Sequence, residues 1–337
     1  MSATDSKTSC PSIMPAEAMN RVFDKARRIL IVTHIDPDGD AIGTQLALGE
    51  FLRARGKHVF MVRDSDVPDK YDFLPNVGDI VETRTLGAEA AVDAVLVLEC
   101  PNLQRIGTAA RMLTPGIPVI NIDHHRDNAM FGDVNWVDIQ PSSVGEMAFE
   151  YLRQIGFAIT PTMAECLYTA ILTDTGRFRY SSTSPRTMTV AGELMALGAD
   201  SRKICDLVYY NMRISTLTLM GKVLNGIEYH AGGKVAVLTL TREMLAEAGA
   251  EESESDGLVD LTMVGRGVTA GALLKEIDTT HTKASLRSTN GVNVAAIAYR
   301  FGGGGHFNAA GCTIPMALPQ AKEAVIRLLS EANGGLD

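Results

Sequence analysis

Short runs of consecutive apolar residues alternate with segments of helical periodicity through the first part of the chain. Arg28 to Thr33 (RILIVT), His58 to Val62, Ala94 to Glu99 and Pro118 to Asp123 are such runs, and their near-continuous hydrophobicity predicts strands buried on both faces of a parallel sheet. Met14 to Arg27 predicts an opening helix. Between the first two runs, Ile42, Leu46, Gly49 and Leu52 fall at helical spacing, with Asp40 placed to cap the helix start. This alternation predicts an α/β domain built on a mostly parallel sheet flanked by helices. From Ser143 to Gly198 the pattern is largely helical: Ser143 with Glu146 reads as a capping box, and Gly156 and Gly198 as helix stops. Ser201 to Ile227 predicts further helix. Lys234 to Leu240, Thr269 to Ile277 and Lys283 to Arg287 predict strands of a smaller α/β domain with a separate core. The acidic tract Glu251 to Asp256 reads as a solvated loop, and Leu318 to Leu329 as a closing amphipathic helix. The expected organisation is a polar leader over 1–14, an N-terminal domain over 15–198, a helical linker over 199–230 and a C-terminal domain over 231–337, with a cleft between the domains.

Composition narrows the function classes. The chain has 337 residues, 46% hydrophobic and 21% charged, enough for two cores. No run approaches the roughly 18–20 apolar residues of a membrane helix, and Met1 to Pro15 lacks the apolar stretch of a signal peptide, so a cytoplasmic location with no membrane partner is expected. Cys10, Cys100, Cys166, Cys205 and Cys312 include no Cys-x-x-Cys pair, which predicts buried free thiols rather than a zinc knuckle or disulfide framework. The formal net charge of -9 argues against a protein that tracks long nucleic acid, because such binding is dominated by phosphate neutralisation. An anionic substrate would be small and held by a few local cations.

The candidate chemistry gathers where predicted strands end. His34, Asp36, Asp38 and Asp40 alternate immediately after the first strand, and in extended backbone every second side chain points the same way. Four groups would then converge at the carboxyl end of a strand, where ligand sites of open α/β sheets lie. Carboxylates this close repel one another unless a cation neutralises them. Asp123, His124 and His125 end another strand, Glu99 ends a third, and Asp174 follows a helix in the sequence Thr173-Asp174-Thr175-Gly176. Mixed imidazole and carboxylate donors without thiolate suit manganese, with magnesium, cobalt or iron as alternatives. Two such cations favour phosphoester hydrolysis. In the second domain, Gly302 to Gly305 followed by His306 could cradle an anion with backbone N–H groups or form an ordinary turn, and Ser285 to Ser288 adds Arg287 as a cation.

These motifs, with Phe301 to His306 and Ala309-Ala310-Gly311, resemble the DHH phosphoesterases with a DHH-associated C-terminal domain, from about Arg28 to Ile314. That branch contains enzymes acting on short oligoribonucleotides (nanoRNA), on 3'-phosphoadenosine 5'-phosphate (pAp), and on cyclic di-AMP or pApA. The resemblance implies that His34 and Asp38 bind one manganese, that Asp40, His124 and Asp174 bind the other, and that Glu99 bridges them. It places His125 beside the metals, contacting the phosphate or assisting proton transfer, with Asp36 and Asp123 as supporting groups. Arg105, Arg287, Ser288 and the Gly303, Gly304, Gly305 and His306 loop would hold the substrate. One departure is that the family's bridging residue is usually Asp, and the extra methylene of Glu99 displaces the carboxylate by about an ångström. The expected activity is hydrolysis of short oligoribonucleotides or pAp by a hydroxide shared between two cations, without action on long nucleic acid. A homodimer is implied by resemblance only. The competing readings are a cyclic di-AMP phosphodiesterase, or a nucleotide-binding sensor weakened at Glu99.

Overall fold

The computed structural model describes residues 15–87, 90–289 and 291–334, with the side chain of His306 outside that description. Met14 and Cys10 also lie outside it. The chain forms two compact units that divide after Asn211.

The first unit contains α1 (Ala16–Lys25), β1 (Arg28–Val32), α2 (Gly39–Ala54), β2 (His58–Arg63), β3 (Ile80–Glu82), β4 (Ala94–Leu98), β5 (Val119–Asp123), β6 (Val134–Val137), α3 (Val144–Gln154), α4 (Pro161–Asp174), α5 (Pro185–Ala196) and α6 (Ser201–Tyr209). Its six strands lie in the order β3-β2-β1-β4-β5-β6, all parallel. Alternate residues feed two cores. Ile29, Ile31, Leu96 and Leu98 face a large core with Phe23, Phe51, Phe149 and Leu167 from the helices. Leu30, Val32, Val95 and Val97 face a smaller core closed by Ile106 and Ala109 of the 3-10 segment Leu103–Met112. Covering both faces explains the continuous apolar runs in the sequence, and each fully buried Leu, Ile or Phe contributes about 1.5–3 kcal/mol.

Small residues let two helices cross closely beneath the site. A Cβ added at Gly43 on α2 would come within 2.3 Å of the Cys166 carbonyl of α4, and one at Gly39 within 2.4 Å of Thr173 Oγ1. This approach brings the start of α2, which carries Asp40, to the end of α4, which carries Asp174.

The second unit contains α7 (Ile214–Asn225), β7 (Glu228–His230), β8 (Val235–Leu240), α8 (Arg242–Ala248), β9 (Ala270–Glu276), β10 (Thr282–Ser288), α9 (Val294–Tyr299), β11 (Gly304–His306), β12 (Ala309–Ile314) and α10 (Leu318–Ala332). Its strands run in the order β11-β12-β10-β9-β8-β7, antiparallel except for the β8–β9 pair. Val237, Ala272, Leu274 and Leu286 pack under α9 and α10 on one face, while Leu238, Leu240 and Leu273 pack with Leu219 and Val223 of α7 on the other. No helix among the described residues is long and apolar enough to cross a membrane.

Several local expectations need correction. The stretch 199–230 is no separate linker: Ile204 and Val208 of α6 belong to the first unit's core, and Leu219 and Val223 of α7 to the second's. The acidic tract is largely exposed as expected, but Glu252–Ser255 forms a short 3-10 turn in which Ser255 is buried and Glu254 accepts hydrogen bonds from Ser215 and Thr216. Ser143 caps α3 by accepting the Glu146 N–H, but the Glu146 carboxylate turns to Ser142 and Thr187 instead of closing a reciprocal box. Cys100, Cys166 and Cys312 are buried free thiols, whereas Cys205 is only partly covered.

Candidate metal centre

The order of the parallel sheet reverses between β1 and β4, and the crevice at the carboxyl ends of such strands is a natural ligand site. β1 leads to His34, β4 to Glu99 and β5 to His124 and His125. After β1 the backbone does not stay extended. The Ile35 N–H donates to the Arg105 carbonyl at 2.7 Å, and Asp36 turns into the left-handed region with φ 56°. Asp36 is therefore exposed and stands outside the donor cluster formed by its neighbours, which corrects the expected four-fold alternation. The helix cap also differs. Asp38, not Asp40, caps α2, its Oδ1 accepting the N–H groups of Asp40 and Ala41 at 3.0 and 3.1 Å.

Asp40 is fully buried in the first turn of α2 and is fixed from three sides. Its Oδ2 accepts the Val144 N–H at 2.7 Å, and its Oδ1 accepts Gly145 N–H at 2.8 Å and Thr44 Oγ1–H at 3.1 Å. The start of α3 thus orients this carboxylate.

Three sets of donor atoms lie within 4.8 Å of one another: His34, Asp38 and Glu99; Asp40, His124 and Asp174; and Glu99, His124 and His125. Glu99 occurs in two of the sets, with His34 and Asp38 in one and with His124 and His125 in the other. His34 Nε2 is 3.5 Å from Glu99 Oε2, and His124 Nε2 is 3.6 Å from Asp174 Oδ2. Glu99 leaves β4 with φ 56°, so its side chain starts from a backbone direction different from that of the strand. It is 4% exposed, and its Oε2 has no hydrogen-bond partner.

The electrostatics of these donors favour a positive charge among them. Burial, followed by the charges of Asp38, Asp40 and Asp174, pushes the Glu99 carboxyl well above its ordinary range. Burial and then the charges of Asp40 and Asp38 do the same to Asp174. Burial likewise raises Asp40, against the opposing influence of His124. An orphaned buried carboxylate oxygen among repelling carboxylates and imidazoles, with no thiolate, fits hard or borderline divalent cations.

Beside these donors, Asp123 is fully buried and receives three groups. His125 Nδ1 lies 2.7 Å from its Oδ1, the His124 N–H donates to the same oxygen, and Asn128 Nδ2–H donates to Oδ2 at 2.6 Å. Burial alone would favour neutral His125, but the bond to Asp123 and the charges of Asp123, Asp127 and Asp40 outweigh it and raise the imidazole pKa. Asn128 also reaches the Asn121 side chain and the Cys100 carbonyl, linking β5 to the turn after β4.

Tyr71 lies in no motif of the sequence. This residue sits on an isolated 3-10 turn, Asp69–Tyr71, and is 2% exposed. Burial, then the charge of Asp38, pushes its hydroxyl pKa well up. Asn128 was missed for a similar reason, since its partners meet only through the fold.

The remaining candidates have mixed placement. Arg105 is exposed on the segment after β4, and its carbonyl holds Ile35. In the second unit, Arg287 donates from Nε to Asp260 at 2.8 Å and stays partly exposed. Ser288 is instead turned into the fold, donating to the Val292 carbonyl at 2.6 Å and accepting from Asn308. The glycine run is not an open cradle. The Gly302 and Gly303 N–H groups are committed to the Tyr299 and Ala298 carbonyls, and Gly304 to His306 pair with β12. Gly303 is needed because a Cβ there would lie 2.2 Å from the Gly311 carbonyl.

The chain matches the DHH family, N-terminal domain, over residues 28–171 and the DHHA1 domain over residues 232–332. It is 36% identical over 311 residues to a Thermus thermophilus protein described as bifunctional oligoribonuclease and PAP phosphatase NrnA, covering 90% of this chain and 89% of that protein. A Bacillus subtilis protein of the same description is 29% identical, with 85% of this chain and 89% of the relative covered. Among solved structures, an exopolyphosphatase-related protein from Bacteroides fragilis superposes with a TM-score of 0.90 at 29% identity, covering 96% of this chain and 98% of that one.

Proposed function

This chain belongs to the DHH family and carries a DHHA1 domain, and from that premise we propose that it hydrolyses short oligoribonucleotides and pAp at a centre of two divalent cations, manganese foremost. The observation that carries the reading is the pair of donor sets, His34/Asp38/Glu99 and Asp40/His124/Asp174, joined by a third set that brings Glu99 to His124, with one Glu99 oxygen unpartnered. His34, Asp38 and Glu99 would hold one cation, and Asp40, His124 and Asp174 the other. Cations of this kind offset the carboxylate repulsion, lower the pKa of water and stabilise negative charge on phosphoryl oxygens.

The chain's own residues supply orientation and proton control. Asp40, locked onto the start of α3, and Asp38, locked onto the start of α2, hold their oxygens without reorganisation. His125, turned by Asp123 and kept more basic than usual, is placed to contact the phosphate or carry a proton to the departing ribose oxygen. Arg105 and Arg287 are candidates for gripping the nucleotide. The net charge of -9 supports small anionic substrates over long strands.

The test is turnover of pApA, pAp and a long single-stranded RNA by the manganese-loaded protein, with His124→Ala as control. Release of mononucleotide from pApA, phosphate release from pAp, little attack on the long strand and loss of both activities in the variant are expected. Equal degradation of the long RNA would overturn the short-substrate reading.

A further inference from the structure

One cation just beyond the end of α4 has no carboxylate within ion-pair distance among the described residues. Arg177 follows Asp174 by three residues, is exposed, and takes part in none of the ion pairs among the described residues. Its guanidinium instead lies 4.6 Å from the centre of the Tyr209 ring. The Arg177 N–H donates to the Leu172 carbonyl at 2.9 Å, and the Tyr209 hydroxyl donates to that same carbonyl at 3.4 Å. Cation and ring are thereby tied to the last turn of α4, the turn that presents Asp174.

The backbone is bent to make this placement. Gly176, Arg177 and Phe178 have φ of 54°, 64° and 61°, a left-handed turn that side chains with a Cβ resist. Thr175, fully buried, holds it: its carbonyl accepts the Arg179 and Tyr180 N–H groups at 3.0 and 2.9 Å, and its Oγ1 accepts the Phe178 N–H at 3.0 Å. Phe178 packs edge-on against Tyr168. Conformations of this kind persist only where the surroundings over-determine them.

Stacking occupies the face of a guanidinium and leaves the N–H groups along its edge free to donate. Those donors match the oxygens of a phosphate, which accept paired N–H bonds from arginine. A centre lined by carboxylates also repels any phosphate charge that the cations do not neutralise, so a fixed positive group on the turn that follows Asp174 has a use. From this placement we infer that Arg177 is a specificity-determining contact, binding a phosphate oxygen of the substrate while Tyr209 holds its plane. The inference rests on the proposed phosphoesterase reading and extends it to a residue that the metal motifs do not include.

The test compares wild type with Arg177→Gln, Arg177→Lys and Tyr209→Leu, all manganese-loaded. Arg177→Gln is expected to raise KM for pApA and weaken inhibition by AMP and inorganic phosphate on the order of tenfold. Inhibition by adenosine, which lacks the phosphate, should stay unchanged, and Arg177→Lys and Tyr209→Leu should fall between. An unchanged KM with unchanged phosphate inhibition overturns the inference, as does a fall in thermal stability with KM unmoved, the mark of a purely structural tie. Should wild type fail to hydrolyse pApA, the functional reading falls by itself. The inference is then read from calorimetric titration of AMP, where equal affinity in wild type and Arg177→Gln would overturn it.

Discussion

The Asp40 carboxylate accepts the Val144 N–H at 2.7 Å, so a residue of the donor cluster also anchors the first turn of α3. Asp40→Ala removes the acceptor for Val144, Gly145 and Thr44 in a buried setting. Unpaired buried donors cost about 1–3 kcal/mol. The variant is expected to lose about that much stability in urea titration of the metal-free protein, apart from its loss of cation binding.

Glu99→Gln should act in the opposite direction on the metal-free protein. Glu99 is buried against the charges of Asp38, Asp40 and Asp174, and its Oε2 makes no hydrogen bond. Replacing it with a neutral amide relieves that repulsion, so the metal-free melting temperature is expected to rise. The further rise caused by manganese should shrink, because the shared donor is gone. Thermal melts with and without manganese check both signs.

Gly43→Ala tests the helix crossing that supports the centre. The new methyl would sit 2.3 Å from the Cys166 carbonyl, which is backbone and cannot rotate away. Overpacking of this kind costs about 1–3 kcal/mol. Separation of α2 from α4 should also weaken manganese binding at the side holding Asp40 and Asp174, seen as a weaker transition in calorimetric titration.

The second unit carries a pH-dependent clamp at Glu254. The Glu251 N–H, then the Ser215 and Thr216 hydroxyls, hold its carboxyl down to about 2 from an ordinary 4.5. The folded state thus binds the proton less readily than the unfolded chain, and stability from this group is present above pH 4.5 and lost as pH falls toward 2. Glu254→Gln should lower the melting temperature at neutral pH, and the difference from wild type should close across that acid window.

The legible parts of the fold are those where burial leaves a one-dimensional trace. β1, β2, β4 and β5 are interior strands whose two covered faces demand continuous apolar runs, and their carboxyl ends carry His34, Glu99 and His124 into one place. β3 and β6 lie at the sheet edges with mixed exposure, so they leave no such trace. The break between α6 and α7 also escaped, because Tyr210 to Arg213 contains neither Pro nor Gly.

Within the centre, residue type and position after a strand were enough to nominate the donors, but backbone direction was not readable. Asp36 shares the alternation of His34 and Asp38, yet the left-handed turn at Asp36 takes it out of the cluster. Tyr71 and Arg177 depend on segments far apart in sequence, burial and the Asp38 charge in one case and the Tyr209 ring in the other. The glycine run leaves an anion cradle and an ordinary turn both open in sequence because glycine frees the backbone, whereas in the fold Gly303 is required by the close approach of β12.

Manganese stoichiometry and affinity, from calorimetric titration of wild type, His34→Ala and His124→Ala, test whether a paired cation centre assembles around Glu99. Two ions per chain in wild type, with each variant retaining one stronger site and losing the other, is the predicted result. A single ion in wild type, or two undiminished sites in both variants, would contradict the account.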